Sequence, residues 1–570
     1  MKVKKYLLTA TLSIMIISFC QQTHAQAKGY FLRQWDNLID ITNVSFANSN
    51  IRYAKDKVPD VDIQNEWKGI AWKGEKVNTQ VLIWSKQSVP KVTYSISELV
   101  NSKGVKIEAK NISVSFIHYV WTDGYFGNGC YKRNNHELDS SLGADVIDTV
   151  SIISMKGNTV QPIWFSIQVP QNIPSGLYNG KIIINAGKTF SLKVTLRVSE
   201  HILPLPTQWK FDLDLWQYPV TIAKAHGVPL WSEEHFKAMR PYYTKLAGAG
   251  QKCITISMIE GGNQSKEVSP AMIKWILKKD RTWSYDYSLF DKYVSFVMGC
   301  GITNRINCYT MVPWNMEFNY YDEQTGKDSS FTAETNSSTY KTFWQNMLKD
   351  FTQHLKQKGW FTNTSIAMDE RKLPDMLAVI KIIREVDTNW NISLAGSYHH
   401  ELVKEINDYS IFRSSVFTQD DLKYRNAKGM SSTFYTSCEG EKPNMFTFSP
   451  PAESVWMGWY AASKGFSGYL RWAYNLWNEN PLVDSRGGFP AGDFFQIYPG
   501  PRSSVRFEKL IEGIQDFEKI RIIRDEYIGK GEPEKLMKLN TILASFESEL
   551  LDLKSADEMV TEAKKVLGHY

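Results

Sequence analysis

The run Ser365-Ile366-Ala367-Met368-Asp369-Glu370 is apolar until it ends in two adjacent carboxylates, and Arg371, Lys372, Leu373 and Pro374 follow at once. It reads as a buried strand that delivers an acid pair to a rim, and in parallel α/β proteins catalytic groups gather at the carboxyl ends of strands. Adjacent acids suit one kind of sugar chemistry. A retaining glycosidase with a carboxylate nucleophile holds its two acids about 5 Å apart across the scissile bond, whereas a substrate-assisted one needs no carboxylate nucleophile. In the second case Glu370 protonates the leaving oxygen. Asp369 then holds a 2-acetamido group whose carbonyl oxygen attacks the anomeric carbon. Successive strand side chains face opposite ways, so the pair can address one sugar only if the strand ends there and the chain turns. Arg371 to Pro374 permits that turn, with Pro374 in the first turn of the next helix. Repulsion between the neighbours helps keep one of them protonated near neutral pH. The competing reading has Asp369 capping the following helix and Glu370 solvated.

A second constellation lies in Gly468 to Trp477, which carries Trp472, Tyr474 and Trp477, followed by Asp484 and Asp493. Aromatic platforms beside acceptors are what a carbohydrate subsite requires, because stacking positions the ring and carboxylates receive hydroxyl protons. Each member also has a packing reading: Trp472 inside a barrel, Asp493 ordering its own turn. Trp216, Trp314 and Asn315, Tyr398 and His399, and Tyr435 follow or end other strands at the same rim and complete the candidate substrate-binding set. The tandem His399-His400 lacks the accompanying carboxylate-rich spacing of a metal site, so neither a metal nor a cofactor is expected. Cys438 and Glu439 close the seventh strand, where an unassisted thiol is a poor nucleophile.

These residues need a scaffold. The chain has 570 residues, enough for several domains or for two if one is a large barrel. A 13% aromatic content, with 19 Trp, agrees with sugar recognition, although most of these rings are expected to fill cores. The net charge of +6 is spread along the chain rather than gathered, which argues against a nucleic-acid partner. Met1 to Lys5 is basic, Tyr6 to Phe19 almost wholly apolar, and small residues near Ala25 and Ala27 permit cleavage, so residues 1–27 read as an export signal. Lipid anchoring through Cys20 is the lesser option, because Phe19 before it is bulky. No later run reaches the ~20 apolar residues of a membrane span. The five remaining cysteines show no paired metal or redox spacing, and Cys253 and Cys308 read as buried small hydrophobes.

Residues 28–203 show short alternating segments (77–84, 92–96, 114–120, 160–169, 181–184 and 190–198) that describe a β-sandwich, closed by Leu203-Pro204-Leu205-Pro206. Beyond it the rhythm becomes strand, helix, strand. Eight candidate strands (211–216, 253–259, 305–312, 365–368, 392–397, 410–417, 432–436 and 469–474) alternate with helical stretches at 233–246, 287–298, 340–358, 374–387, 401–408 and 452–464. Eight parallel strands close a barrel. The predicted architecture is a multidomain α and β chain: an N-terminal β-sandwich, a (β/α)8 TIM-type barrel over 204–530, and extra C-terminal helices over 531–570 packed on it.

Taken together, Ile366 to Arg371, Tyr469 to Tyr474, Pro490 to Asp493, Tyr498 to Gly500 and Arg506 to Lys519 resemble glycoside hydrolase family 123, and Ile173 to Gly180 extends the resemblance into the sandwich. Phe489 stands where many relatives carry Trp. The resemblance implies a secreted, metal-free, retaining β-N-acetylgalactosaminidase that works through an oxazoline, with the family's Asp-Glu pair at Asp369 and Glu370. Its partner would be a glycan carrying β-GalNAc, on glycolipid, glycoprotein or polysaccharide. A β-N-acetylglucosaminidase, another glycosidase, or a non-catalytic glycan-binding surface protein remain the alternatives.

Overall fold

The computed structural model describes residues 34–124, 130, 141–262 and 264–567. The export signal over 1–27 and Cys20 lie outside the described residues. The chain divides into two compact units, one running to Val120 and resuming over Leu142–Ile202, the other holding Trp121–Ser141 and the residues from Leu203 onwards.

In the first unit two sheets share one core. One sheet runs in spatial order through Thr42–Ala47, Lys76–Ser85, Thr159–Gln168, Ile112–Thr122 and Ser141–Ile147. The other runs through Glu66–Lys73, Lys188–Ile202, Gly176–Ala186, Val89–Ile96 and Ile152–Met155. Alternation decides which faces meet: Ile163, Phe165 and Ile167 from one sheet and Leu192, Val194 and Leu196 from the other are buried at intervals of two. Gly187, at φ 76°, closes the hairpin in which Ala186 pairs with Lys188, a backbone that a residue with a Cβ adopts at a cost.

The second unit is built on eight parallel strands: β1 (Asp212–Leu215), β2 (Cys253–Ser257), β3 (Arg305–Tyr309), β4 (Thr364–Asp369), β5 (Asn391–Gly396), β6 (Asp408–Phe412), β7 (Ser431–Tyr435) and β8 (Gly468–Arg471). They pair in sequence from β2 to β8, β8 pairs with β1, and a single bridge from Leu213 to Gln251 brings β1 to β2. Helices start where the sequence supplies a hydroxyl cap: Ser232, Ser337, Thr418 and Ser504 each accept from the backbone N–H three residues on. The helices Pro451–Lys464 and Val505–Lys530 cross at Gly458 and Gly513. A Cβ on Gly458 would lie 1.9 Å from the Gly513 carbonyl oxygen, so only glycine allows this approach. Two further helices, Pro533–Leu543 and Ala556–Leu567, belong to the same unit as the barrel.

Three features depart from the pattern reading. Residues 401–408 form only a 3₁₀ turn at His400–Leu402, since Asp408 is drawn into β6, and that strand ends at Phe412. The helix after β6 is Gln419–Ala427, a polar stretch with a weak apolar stripe. The connections after β2 and β3 carry hairpins, Lys274–Leu277 with Trp283–Asp286 and Glu317–Asp322 with Lys327–Thr332, which join into a separate four-stranded sheet.

Candidate active site

β4 ends at Asp369, and the Glu370 N–H makes a last ladder bond to the Ala395 carbonyl at 2.7 Å. Glu370 then takes φ 48°, the left-handed region that a residue with a Cβ enters at a cost of about 1–3 kcal/mol. This turn lets two consecutive acids address the same space, which an extended strand forbids. The following helix, Leu373–Val386, has Lys372 at its cap and Pro374 in its first turn, so Asp369 is not a helix cap.

Asp369 lies two residues beyond Ala367, on the same face of β4, and Ala367 belongs to an apolar floor with Trp216, Tyr218, Tyr309, Ala395, Tyr435, Leu470 and Ala473. Among the described residues no donor is paired with the Asp369 carboxylate. Burial and then the charge of Glu370 push its carboxyl up to about 7, with Arg371 opposing. Asp369 therefore keeps its own proton up to about that pH. Glu370 is exposed and accepts a 2.8 Å hydrogen bond from the Tyr435 hydroxyl at the end of β7. That contact spans the strands between β4 and β7 and places the Glu370 carboxylate over the mouth.

The structure gathers part of the candidate set. Trp216 is buried in the floor against Tyr309, ring centroids 4.7 Å apart, and neither its Nε1–H nor the Tyr309 hydroxyl has a hydrogen-bond partner among the described residues. Trp472 packs against the same floor, half-buried, with Nε1 donating to Asp493 at 3.1 Å. Asp493 is itself fully buried and accepts from Arg471 at 2.6 Å, so it fixes Trp472 instead of meeting a sugar. Phe489 lies 6.1 Å from Trp472, edge to face.

Other members are directed elsewhere. Tyr474 is buried, donates to the Tyr242 carbonyl at 3.0 Å and packs on Phe507, because the chain has left β8 and meets the outer helices. Trp477 donates to the Ile497 carbonyl at 2.7 Å and lies against Tyr242. Tyr398 donates to Asp421 at 2.5 Å, beside the helix after β6. His399 is half-buried, its backbone N–H bonded to the Tyr409 hydroxyl at 2.9 Å. Asn315 orders its own turn through Glu317. Trp314 is 64% exposed, with the Arg371 guanidinium 3.8 Å from its ring centre.

Pattern reading passed over Tyr309, Arg371 and the network in which Arg471 Nη1 donates to Thr436 and Asn444, each at 2.8 Å. Arg471 was visible as a strand residue, but its partners come from separate loops. The short segment after Val120 was equally hidden: Thr122 shares a hydrogen bond with Thr447 at 2.6 Å, Asp123 accepts from the Ala491 N–H at 3.1 Å, and Cys130 is disulfide-bonded to Cys438 just beyond β7. Cys253 and Cys308 are free and buried. Among the described residues, no three His, Cys, Asp or Glu side chains gather as a metal site requires. No helix among them is long and apolar enough to cross a membrane.

The family model described as the catalytic domain of glycoside hydrolase 123 matches residues 216–523, and the glycoside hydrolase 123 N-terminal domain model matches 46–186. Among solved structures, a family 123 glycoside hydrolase from Clostridium perfringens, studied for glycolipid glycan hydrolysis, is 26% identical with a TM-score of 0.83, over 93% of this chain and 97% of that one. A family 39 glycoside hydrolase from Bacteroides cellulosilyticus is 10% identical with a TM-score of 0.33, over 75% and 80% of the two chains, too distant to carry an argument. No curated protein matches the chain.

Proposed function

Since the chain belongs to glycoside hydrolase family 123 and is a glycosidase, we propose that it is an exported, retaining β-N-acetylgalactosaminidase that works by substrate assistance. The observation that carries this reading is the left-handed turn at Glu370, which brings both acids of one strand end to one apolar-floored mouth. Glu370, held by Tyr435, protonates the leaving oxygen. Asp369 accepts the acetamide N–H, so that the amide oxygen attacks the anomeric carbon, forming the oxazoline as the glycosidic bond breaks. Glu370 then takes a proton from the water that opens the oxazoline, and the configuration is retained. Small Ala367 and Ala395, in the same cluster as Trp216 and Tyr309, leave an apolar surface suited to the acetamido methyl.

A carboxylate nucleophile is harder to supply. Asp493, the buried acid nearest Trp472, has its oxygens committed to Arg471 and Trp472. The choice of N-acetylgalactosamine rests on the resemblance of the sequence motifs to the family, and a glycolipid glycan is the substrate class suggested by the Clostridium perfringens relative. Export rests on the apolar leader in the sequence and agrees with the Cys130–Cys438 disulfide, a bond that persists in oxidising compartments.

The test is turnover of nitrophenyl β-N-acetylgalactosaminide. Glu370→Gln is expected to lower kcat/KM by about 10²–10⁴, Asp369→Asn to lower it strongly, and a thiazoline analogue of the oxazoline to inhibit the wild type. An active enzyme indifferent to the thiazoline would point to a carboxylate nucleophile. Preference for the glucosamine epimer would correct the sugar alone.

A further inference from the structure

We infer that Trp314 is the stacking platform for a sugar ring on the leaving-group side, and that Arg371 is the positioning residue that holds it there; this rests on the function proposed above. Trp314 is 64% exposed on the loop after β3. A tryptophan so exposed on a loop would ordinarily rotate. Here one ring face is covered by the Arg371 guanidinium, 3.8 Å from the ring centre. Arg371 is itself only 8% exposed, its Nε donates to the Val312 carbonyl at 2.6 Å, and among the described residues its Nη1 and Nη2 have no hydrogen-bond partner. A buried cation left with two unpaired donors is costly, and the ring face is what compensates it. The two residues thus hold each other, and the outer face of Trp314 stays presented to solvent.

Its side of the scissile bond follows from its neighbours. Trp216, Tyr309, Tyr435 and Trp472 belong to the enclosed floor beneath Asp369, where the sugar bearing the acetamide sits. Trp314 stands outside that cluster. Its support, Arg371, directly follows Glu370, the acid that protonates the leaving oxygen. A pyranose attached through that oxygen offers an apolar face of the right kind for an indole.

The experiment compares two substrates with the same donor sugar, a β-GalNAc disaccharide and β-GalNAc azide, whose small leaving group places nothing over Trp314. In Trp314→Ala the ratio of kcat/KM for the disaccharide to that for the azide should fall about tenfold. Arg371→Met should lower the same ratio, and Arg371→Lys, which keeps the charge but not the planar stack, should recover it only in part. An unchanged ratio in Trp314→Ala overturns the inference. An unchanged ratio in Arg371→Met, with Tm preserved, overturns the positioning role. A wild type that cleaves neither substrate overturns the proposed function and this inference with it, whereas cleavage of both with an unaltered ratio overturns this inference alone.

Discussion

Buried charge is paired with opposite charge at one end of the barrel and lies against a ring at the other. At the amino ends of the strands, Arg305 donates to Asp212 at 2.5 and 2.8 Å, and Ser431 to the same carboxylate at 2.5 Å. Asn307 and Ser393 donate to Asp408 at 2.9 and 3.1 Å. Asp212, Arg305, Asp408 and Ser431 are each the first residue of a strand, so they form a ring across the bottom. Although burial acts to raise it, Arg305 holds the Asp212 carboxyl below its ordinary range. At the carboxyl ends, Trp216 Nε1, the Tyr309 hydroxyl and Arg371 Nη1 and Nη2 have no hydrogen-bond partner among the described residues; at the amino ends Arg305 Nε and Asn307 Oδ1 have none either, but there the buried charges are paired with each other. An unpaired buried donor costs about 1–3 kcal/mol. A fold tolerates several together where a ligand supplies acceptors or where rings stand in for them, so the bottom reads as stability and the top as function.

That contrast can be tested from the strongest effect downward. Arg305→Met leaves Asp212 and Asp408 buried without their cation, and should cost about 3 kcal/mol in urea unfolding; a loss below about 1 kcal/mol would remove the distinction between the ends. Tyr435→Phe removes the donor to Glu370 and should lower kcat/KM about tenfold with little change in Tm. A Tm loss matching the activity loss would make Tyr435 a structural residue. Asp369 gives the smallest effect, and an opposite one. Its carboxyl is raised from 3.8 to about 7 in the folded protein, so the folded state binds more protons across that window and loses stability as pH rises through it. Asp369→Asn should therefore raise Tm, by more at pH 8 than at pH 5, while activity is lost. A gain independent of pH would mean that the charge of Asp369 is not what strains the site.

The position of the acid pair was legible because β4 is short, apolar and abruptly ended, and such a strand delivers its last residues to the carboxyl rim of a parallel barrel. Trp216 and Trp472 were legible for the same reason, as rings at strand ends. Tyr474 and Trp477 carried an equally good signal, and the structure turns both toward the outer helices. Composition cannot separate these cases, since a loop's direction depends on what it packs against. The segment Arg506 to Lys519 shows the converse. Its residues support the site without facing it: Arg506 donates to the Met445 and Gly492 carbonyls at 2.6 and 2.9 Å, and Glu518 accepts the Lys210 and Phe211 N–H groups at 2.6 and 2.7 Å, at the entry to β1.

Local pattern alone determined the alternation of strands and helices, the sandwich ahead of the barrel, and the strand end at which two carboxylates meet, because each of these follows from periodicity and turn chemistry within a few residues. Tertiary structure alone decided that Glu370 turns left-handed toward Tyr435, that Asp493 serves Trp472, and that Arg371 lies under Trp314. Those outcomes join residues from the ends of β3, β4, β7 and β8 and the loops beyond them. Their energies depend on distances across the mouth, which no stretch of sequence contains.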